Sequence, residues 1–272
     1  LAPYAAQCFE NSMEFQREVF GWEPSAPVTV LLNDYSDGGN ASALGVPRNI
    51  LLLETSPVGV NFETVTTNER LNWLFNHELV HIATVDRAAG RDRFFRKAMA
   101  GKVTPVSEQP GTILWFYLTS PRDAAPRWYH EGIAVFAETW MSGGVGRAQG
   151  AWDEVVFRSM VRDDARFHDP LSLVAEGTKT DFQVEVNSYL YGTRFMTWLA
   201  ATYSPDDVVR CVAREDGSKA YHAARFEEAF GKRLKDAWAD WIAGEREFQA
   251  ANLAAIEEFP LTAARDLSDR AL

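Results

Sequence analysis

The sequence predicts an α+β protein, with a small sheet-bearing lobe first and a mainly helical lobe after it. Three observations carry this. Two short β-rich apolar runs, Val28 to Leu32 and Asn49 to Leu53, fall early in the chain. Downstream, apolar residues recur at helical spacing in one segment after another. The first long downstream segment also holds His77-Glu78-Leu79-Val80-His81. Residues four apart share one face of a helix, so His77 and His81 can offer two imidazole nitrogens to one metal ion. Glu78 sits roughly 100° round the helix, within reach of a water at that metal.

Taken in order, Ala5 to Phe20 reads as a helix stopped by Gly21. Glu23 to Pro27 is a loop, and the polar stretch Asp34 to Asn40 between the two strands is a turn rather than a calcium loop. Thr66 and Glu69 have capping-box spacing, and Leu71, Leu74, Phe75, Leu79 and Ile82 then form one apolar side. The motif helix thus runs from about Thr67 to Asp86. Arg87 to Lys102 is basic and reads as a solvated helix face. Pro110 to Leu118 is apolar and aromatic, suited to a core segment or a cleft wall. Arg127 to Trp140 is the second key helix. The glycine-rich Gly143 to Gly150 follows a helix rather than a strand, which argues for a connector and against a nucleotide site. Trp152 to Val161, Asn187 to Thr202 and Phe226 to Phe248, interrupted at Gly231, are further helices, and Pro260 onward is a tail or linker. The expected organisation is one domain over 1–272: a small lobe over 1–66, a helical lobe over 67–259 and the tail over 260–272.

Composition narrows the partners. A chain of 272 residues, 46% hydrophobic, can bury a large core. Its net charge of −11, without a long basic run, argues against nucleic acid or an anionic membrane as main partner. No apolar run is long enough to span a membrane. Cys8 and Cys211, the only cysteines, can be paired or both free.

A catalytic zinc needs three protein ligands and an open position. A metzincin would place Gly and His where this chain has Thr84 and Arg87, so that class is excluded. The third ligand must be a downstream carboxylate or histidine. Glu131 is the best candidate, a carboxylate early in an otherwise apolar helix, flanked by aromatics. Asp86 and Glu138 are candidates for accepting an N–H from a ligand imidazole. His130 adjoins Glu131 and should point off that face, and His168 and His222 have no partner motif.

These residues carry a resemblance. His77-Glu78-x-x-His81 with Trp128-x-x-Glu131-Gly132-x-Ala134 resembles the gluzincins, the thermolysin- and aminopeptidase-like zinc peptidases. Tyr189-Leu190-Tyr191-Gly192 resembles the Tyr-x-x-Gly start of the aminopeptidase helix whose Tyr donates to the oxyanion. The layout as a whole is similar to bacterial H-E-x-x-H domains that precede Tol-type β-propellers, through the strand pair, these three motifs, and Phe230-Gly231, Trp238 and Trp241. The resemblance implies a zincin-like fold with the active-site cleft between the lobes. It implies one zinc ion on His77, His81 and Glu131, Glu78 as general base, and Tyr189, with Tyr191 as fallback, as oxyanion donor. It implies a peptide or protein substrate, a periplasmic or secreted setting and a C-terminal propeller in a longer parent protein. The aminopeptidase Gly-x-Met-Glu-Asn segment is missing, so exopeptidase specificity does not carry over and an endopeptidase is expected. Peptide pairing is then expected along the Asn49 to Leu53 strand. Two other functions stay open: a zinc-bearing peptide-binding module without turnover, and a zinc hydrolase acting on an epoxide or a cell-wall amide.

Overall fold

The computed structural model describes residues 1–56, 69–174 and 186–260, with 262, 263 and 265. Over the described residues the architecture is α+β and mostly helical, with a small three-stranded sheet on the N-terminal side. Helix α1, Ala2–Phe20, ends at Gly21, whose φ of 55° is the left-handed conformation that stops helices. Three strands follow: β1 (Thr29–Asn33), β2 (Ala41–Leu44) and β3 (Ile50–Glu54). Their order is β1-β3-β2, with β3 parallel to β1 and antiparallel to β2. Leu51 and Leu53 of β3 are fully buried while Leu52 between them is exposed, the alternation a half-buried strand requires.

Strand β2 was not expected. Ala41-Ser42-Ala43-Leu44 lacks the β-branched and aromatic residues that announce a strand, and pairing with β3 supplies what propensity does not. The consequence is a correction. The run predicted to receive a peptide, Asn49 to Leu53, is mostly β3, and both its edges are taken. Among the described residues, strand β2 is an edge strand instead.

The motif helix α2 spans Arg70–Asp86. Its N-cap is Glu69, whose carboxylate accepts from the backbone N–H of Leu71 and Asn72. Glu69 therefore does the capping itself, and Thr66 lies outside the described residues. Helices α3 (Gly90–Ala98) and α4 (Gly111–Thr119) pack on each other. The stretch predicted as a solvated face is only partly so. Arg96 is buried, donating to the carbonyls of Val85, Asp86 and Thr119, and Lys102 is buried against Asp86. Helix α4 lines neither core nor metal-side cleft: Ile113 and Leu114 are exposed.

Helix α5 (Arg127–Met141) crosses α8 (Asn187–Thr202) and packs on α2, and between them come α6 (Ala151–Arg162) and α7 (Pro170–Val174). Helices α9 (Pro205–Val212), α10 (His222–Phe230) and α11 (Leu234–Glu257) are the last of the described helices, with Gly231 at φ 65° ending α10. Trp128, Phe195, Trp238 and Trp241 meet edge-on and tilted in one aromatic cluster, with ring centroids 4.6–5.9 Å apart for the Trp238 and Phe195 pairs. Cys8 and Cys211 are both buried and free. No described helix is long and apolar enough to cross a membrane.

The two motif glycines meet at the α5–α8 crossing. A Cβ on Gly132 would lie 2.5 Å from the Gly192 carbonyl carbon, and one on Gly192 would collide with the Trp128 carbonyl oxygen. Backbone packs on backbone there, one residue along α5 from Glu131. Gly192→Ala is therefore expected to cost about 1–3 kcal/mol or more in urea unfolding, since overpacking forces the helices apart. A loss below about 0.5 kcal/mol, the range of ordinary surface changes, would show that the crossing has room to spare.

Candidate metal centre

One turn of α2 places His77 and His81 on the face that meets α5. Glu131, in the second turn of α5, reaches them from the other side. Its Oε2 lies 3.4 Å from His77 Nε2 and 3.4 Å from His81 Nε2, and the two Nε2 atoms are 3.2 Å apart. Four tetrahedral ligands at about 2.0–2.1 Å from an ion lie about 3.3–3.4 Å from each other, so this triangle has the size of one tetrahedral face. Glu131 Oε2 is buried and, among the described residues, has no hydrogen-bond partner. Among the described residues, His77, His81 and Glu131 are the group that can hold a metal ion.

The protonation of His77 follows from its other nitrogen. Nδ1 is 2.6 Å from Glu138 Oε2, which keeps a proton on Nδ1 and turns Nε2 toward Glu131 and His81. Arg147 donates Nε to Glu138 Oε1 and Nη2 to Glu138 Oε2, each at 2.8 Å. Its Nη2 also lies 2.9 Å from His77 Nδ1, because both groups donate to the same carboxylate oxygen. Of the two expected acceptors, Glu138 is thus the one that meets the His77 imidazole.

Asp86 is not, which corrects the expectation for it. Its carboxylate accepts from Lys102 Nζ, Trp22 Nε1, and the backbone N–H and hydroxyl of Ser25, all away from the imidazoles.

Electrostatics show what the cluster lacks. Burial alone would lower the pKa of His77, but the carboxylates of Glu131 and Glu138 hold it up at about 9. Burial would raise Glu138, yet Arg147 and then His77 hold it down at about 2. Burial would likewise raise Glu131, and the two histidines hold it well below the carboxylate range. The buried carboxylates thus favour positive charge at the imidazoles, beside Arg147 on Glu138 and Arg127, 3.6 Å from Glu131 Oε1, and a proton on His77 or a bound cation can supply it.

The cleft in front of this group has a volume of about 570 Å³. Asn40 to Ala43, in and just before β2, form one wall, and His77, Glu78, His81, Glu131 and Tyr189 form another. Burial pushes the Glu78 carboxyl above its ordinary range, opposed by His77 and His81. The Tyr189 ring stacks on His77 with centroids 6.4 Å apart and planes 17° apart. Burial, then the Glu131 charge, push its phenol above its ordinary pKa, so it stays a hydroxyl donor at neutral pH.

Tyr191 does not reach this cleft and is corrected as a site candidate. It is buried in the aromatic core, its hydroxyl accepting from the His168 N–H and contacting Met160 Sδ. With side chains on successive residues about 100° apart, only one of Tyr189 and Tyr191 faces α2. His130, expected to point away, lines the cleft instead, with its ring 6.4 Å from that of His81. Burial, then the His81 charge, lower its pKa to about 4, so it is neutral at pH 7.

Three contributors escaped sequence reasoning. Arg147 lies in the glycine-rich stretch taken for a connector, which in fact folds into a 3-10 turn at Arg147–Gln149. Its guanidinium carbon sits 4.9 Å from the Trp73 ring centroid and 5.5 Å from that of Tyr189. Arg127 and Asp123 also line the cleft, and no motif marked either one. Compared with known proteins, the chain matches no family model, no curated protein and no solved structure.

Proposed function

We propose that the protein is a zinc-dependent peptidase of gluzincin type, with a zincin-like cleft in which an extended peptide is cut internally. The observation that carries this reading is the convergence of His77 Nε2, His81 Nε2 and Glu131 Oε2 within one face of a tetrahedron, with Glu78 and Tyr189 lining the same cleft. Two imidazoles and one carboxylate are a donor set that suits zinc in a hydrolytic site. A zinc ion held there supplies Lewis acidity, lowering the pKa of a water and polarising a carbonyl.

The chain's own residues do the rest. Glu78 takes a proton from the attacking water on its carboxylate and returns it to the leaving amine. The Tyr189 hydroxyl donates to the oxyanion as it develops. Glu138, held by Arg147, keeps the His77 proton on Nδ1 and its Nε2 free to ligate. Strand β2, an edge strand that lines the cleft, offers backbone donors and acceptors to an extended substrate. A peptide backbone can use those donors and acceptors and an epoxide cannot, which favours peptides as substrates.

Incubation of the zinc-loaded protein with a set of unstructured peptides, analysed by mass spectrometry, tests this reading. Internal cleavage that stops with a zinc chelator and returns on adding zinc is the expected result. Cleavage that persists through chelation, or none by the loaded protein, contradicts it.

A further inference from the structure

Asp123 stands in the cleft with no counter-charge of its own among the described residues. Its place is fixed from behind. Arg122, fully buried, donates to the carbonyls of Val212, Lys219 and Ala220, and the Asp123 N–H donates to the Ser120 carbonyl. The carboxylate that this turn presents is half-buried and lines the same cleft as His81 and Glu131. Among the described residues, none hydrogen-bonds to it or forms an ion pair with it. The cationic side chain whose charge it feels most, Lys102, is committed to Asp86 and Asn49, at 2.8 and 2.5 Å. Burial raises the Asp123 pKa, with only the more distant charges of Lys102 and His81 opposing. A carboxylate partly withdrawn from water without a partner is an unmet cost, and a cation arriving in the cleft removes it.

We propose that Asp123 is a specificity residue that receives a positively charged nitrogen of the substrate, so that this cleft selects peptides carrying an ammonium or guanidinium group next to the bond presented to the metal centre. The idea rests on the peptidase reading for its substrate class and on the cleft geometry for its charge. Two sources share this chemistry, a free α-ammonium and a Lys or Arg side chain.

The test measures binding, so it does not depend on turnover. Zinc-loaded Glu78→Gln protein is titrated calorimetrically with four hexapeptides. One has Lys and a free N-terminus, one has Lys and an acetylated N-terminus, and two have norleucine in place of Lys with either terminus. The acetylated norleucine peptide is expected to bind about tenfold or more weakly than the best charged peptide. The pair of peptides that shows the difference identifies which cation is read. Asp123→Asn is expected to erase the difference, and Asp123→Glu to keep most of it, which separates lost charge from lost folding. Equal binding of all four peptides, binding of none, or a charge preference that survives Asp123→Asn would overturn the proposal. Charge-selective binding by a wild-type protein that cleaves nothing would instead sink the peptidase reading and leave the role of Asp123 intact.

Discussion

Glu78→Gln is expected to lower kcat/KM for peptide cleavage by about 10²–10⁴-fold, the usual contribution of a positioned general base. The side chain keeps its size and its place in the cleft wall, so the substitution removes proton transfer and little else. Glu78 is not among the three groups whose donor atoms converge, so zinc content should be unchanged. The effect should fall on kcat more than on KM, because the proton moves only in the transition state. Tyr189→Phe removes the hydroxyl proposed to donate to the oxyanion and should act in the same direction. A Glu78→Gln protein that cleaves peptides within about threefold of wild type would remove Glu78 from the chemistry, since even a weak general base contributes about a hundredfold.

Asp86→Ala is expected to cost about 3–5 kcal/mol of folding stability at pH 7, the scale for breaking a buried ion pair from one side. Asp86 closes α2, and it draws the loop after α1 and the segment after α3 onto the end of the helix. Removing it leaves the Lys102 ammonium buried at Asn49 without a counter-charge and strips Trp22 Nε1 and the Ser25 N–H of their acceptor. Burial would raise the Asp86 pKa, but Lys102, then Ser25, hold it below its ordinary value. Burial lowers Lys102 despite the same partner, so the pair serves the carboxylate more than the ammonium. The sign for pH follows from the carboxylate. Its contribution is fully present above the ordinary Asp value of about 4 and is lost as pH falls through the lower folded pKa. The stability gap between wild type and Asp86→Ala, read by urea unfolding, should therefore be widest near neutrality and narrow in acid. A gap below about 1 kcal/mol at pH 7 would deny Asp86 this structural role.

Legibility in the sequence followed the range of each interaction. The His77 and His81 pair and the Glu78 neighbour were readable because helical spacing alone puts them together. Glu131 needed a second helix to be matched to the first, and the Trp128-x-x-Glu131-Gly132 pattern carried that. Its two fixed features have physical reasons: Trp128 joins the aromatic core, and Gly132 lets the α8 backbone approach at Gly192. After Gly111, the helices Arg127–Met141, Ala151–Arg162 and Asn187–Thr202 were legible to within a residue, whereas α7 and α9 were not foreseen and the expected Phe226 to Phe248 region is His222–Phe230 and Leu234–Glu257. Strand β2 was not, because its small residues take their conformation from β3. Arg147, Lys102 and Arg96 were misread for a common reason. A charged residue in a polar stretch looks solvated until tertiary structure brings a buried carboxylate or a helix end to it. Asp86 was recognised as important but given the wrong partner, since nothing local says which way a carboxylate at the end of a helix will turn.

The measurement that tests the account most directly is metal content by elemental analysis, after zinc loading and exhaustive dialysis, of wild type and Glu131→Ala. The account predicts about one zinc per wild-type chain, held by three protein ligands, and little or none in the variant. Equal zinc in both proteins would show that Glu131 is not a ligand, and no zinc in wild type would return His77 and His81 to the role of buried core residues.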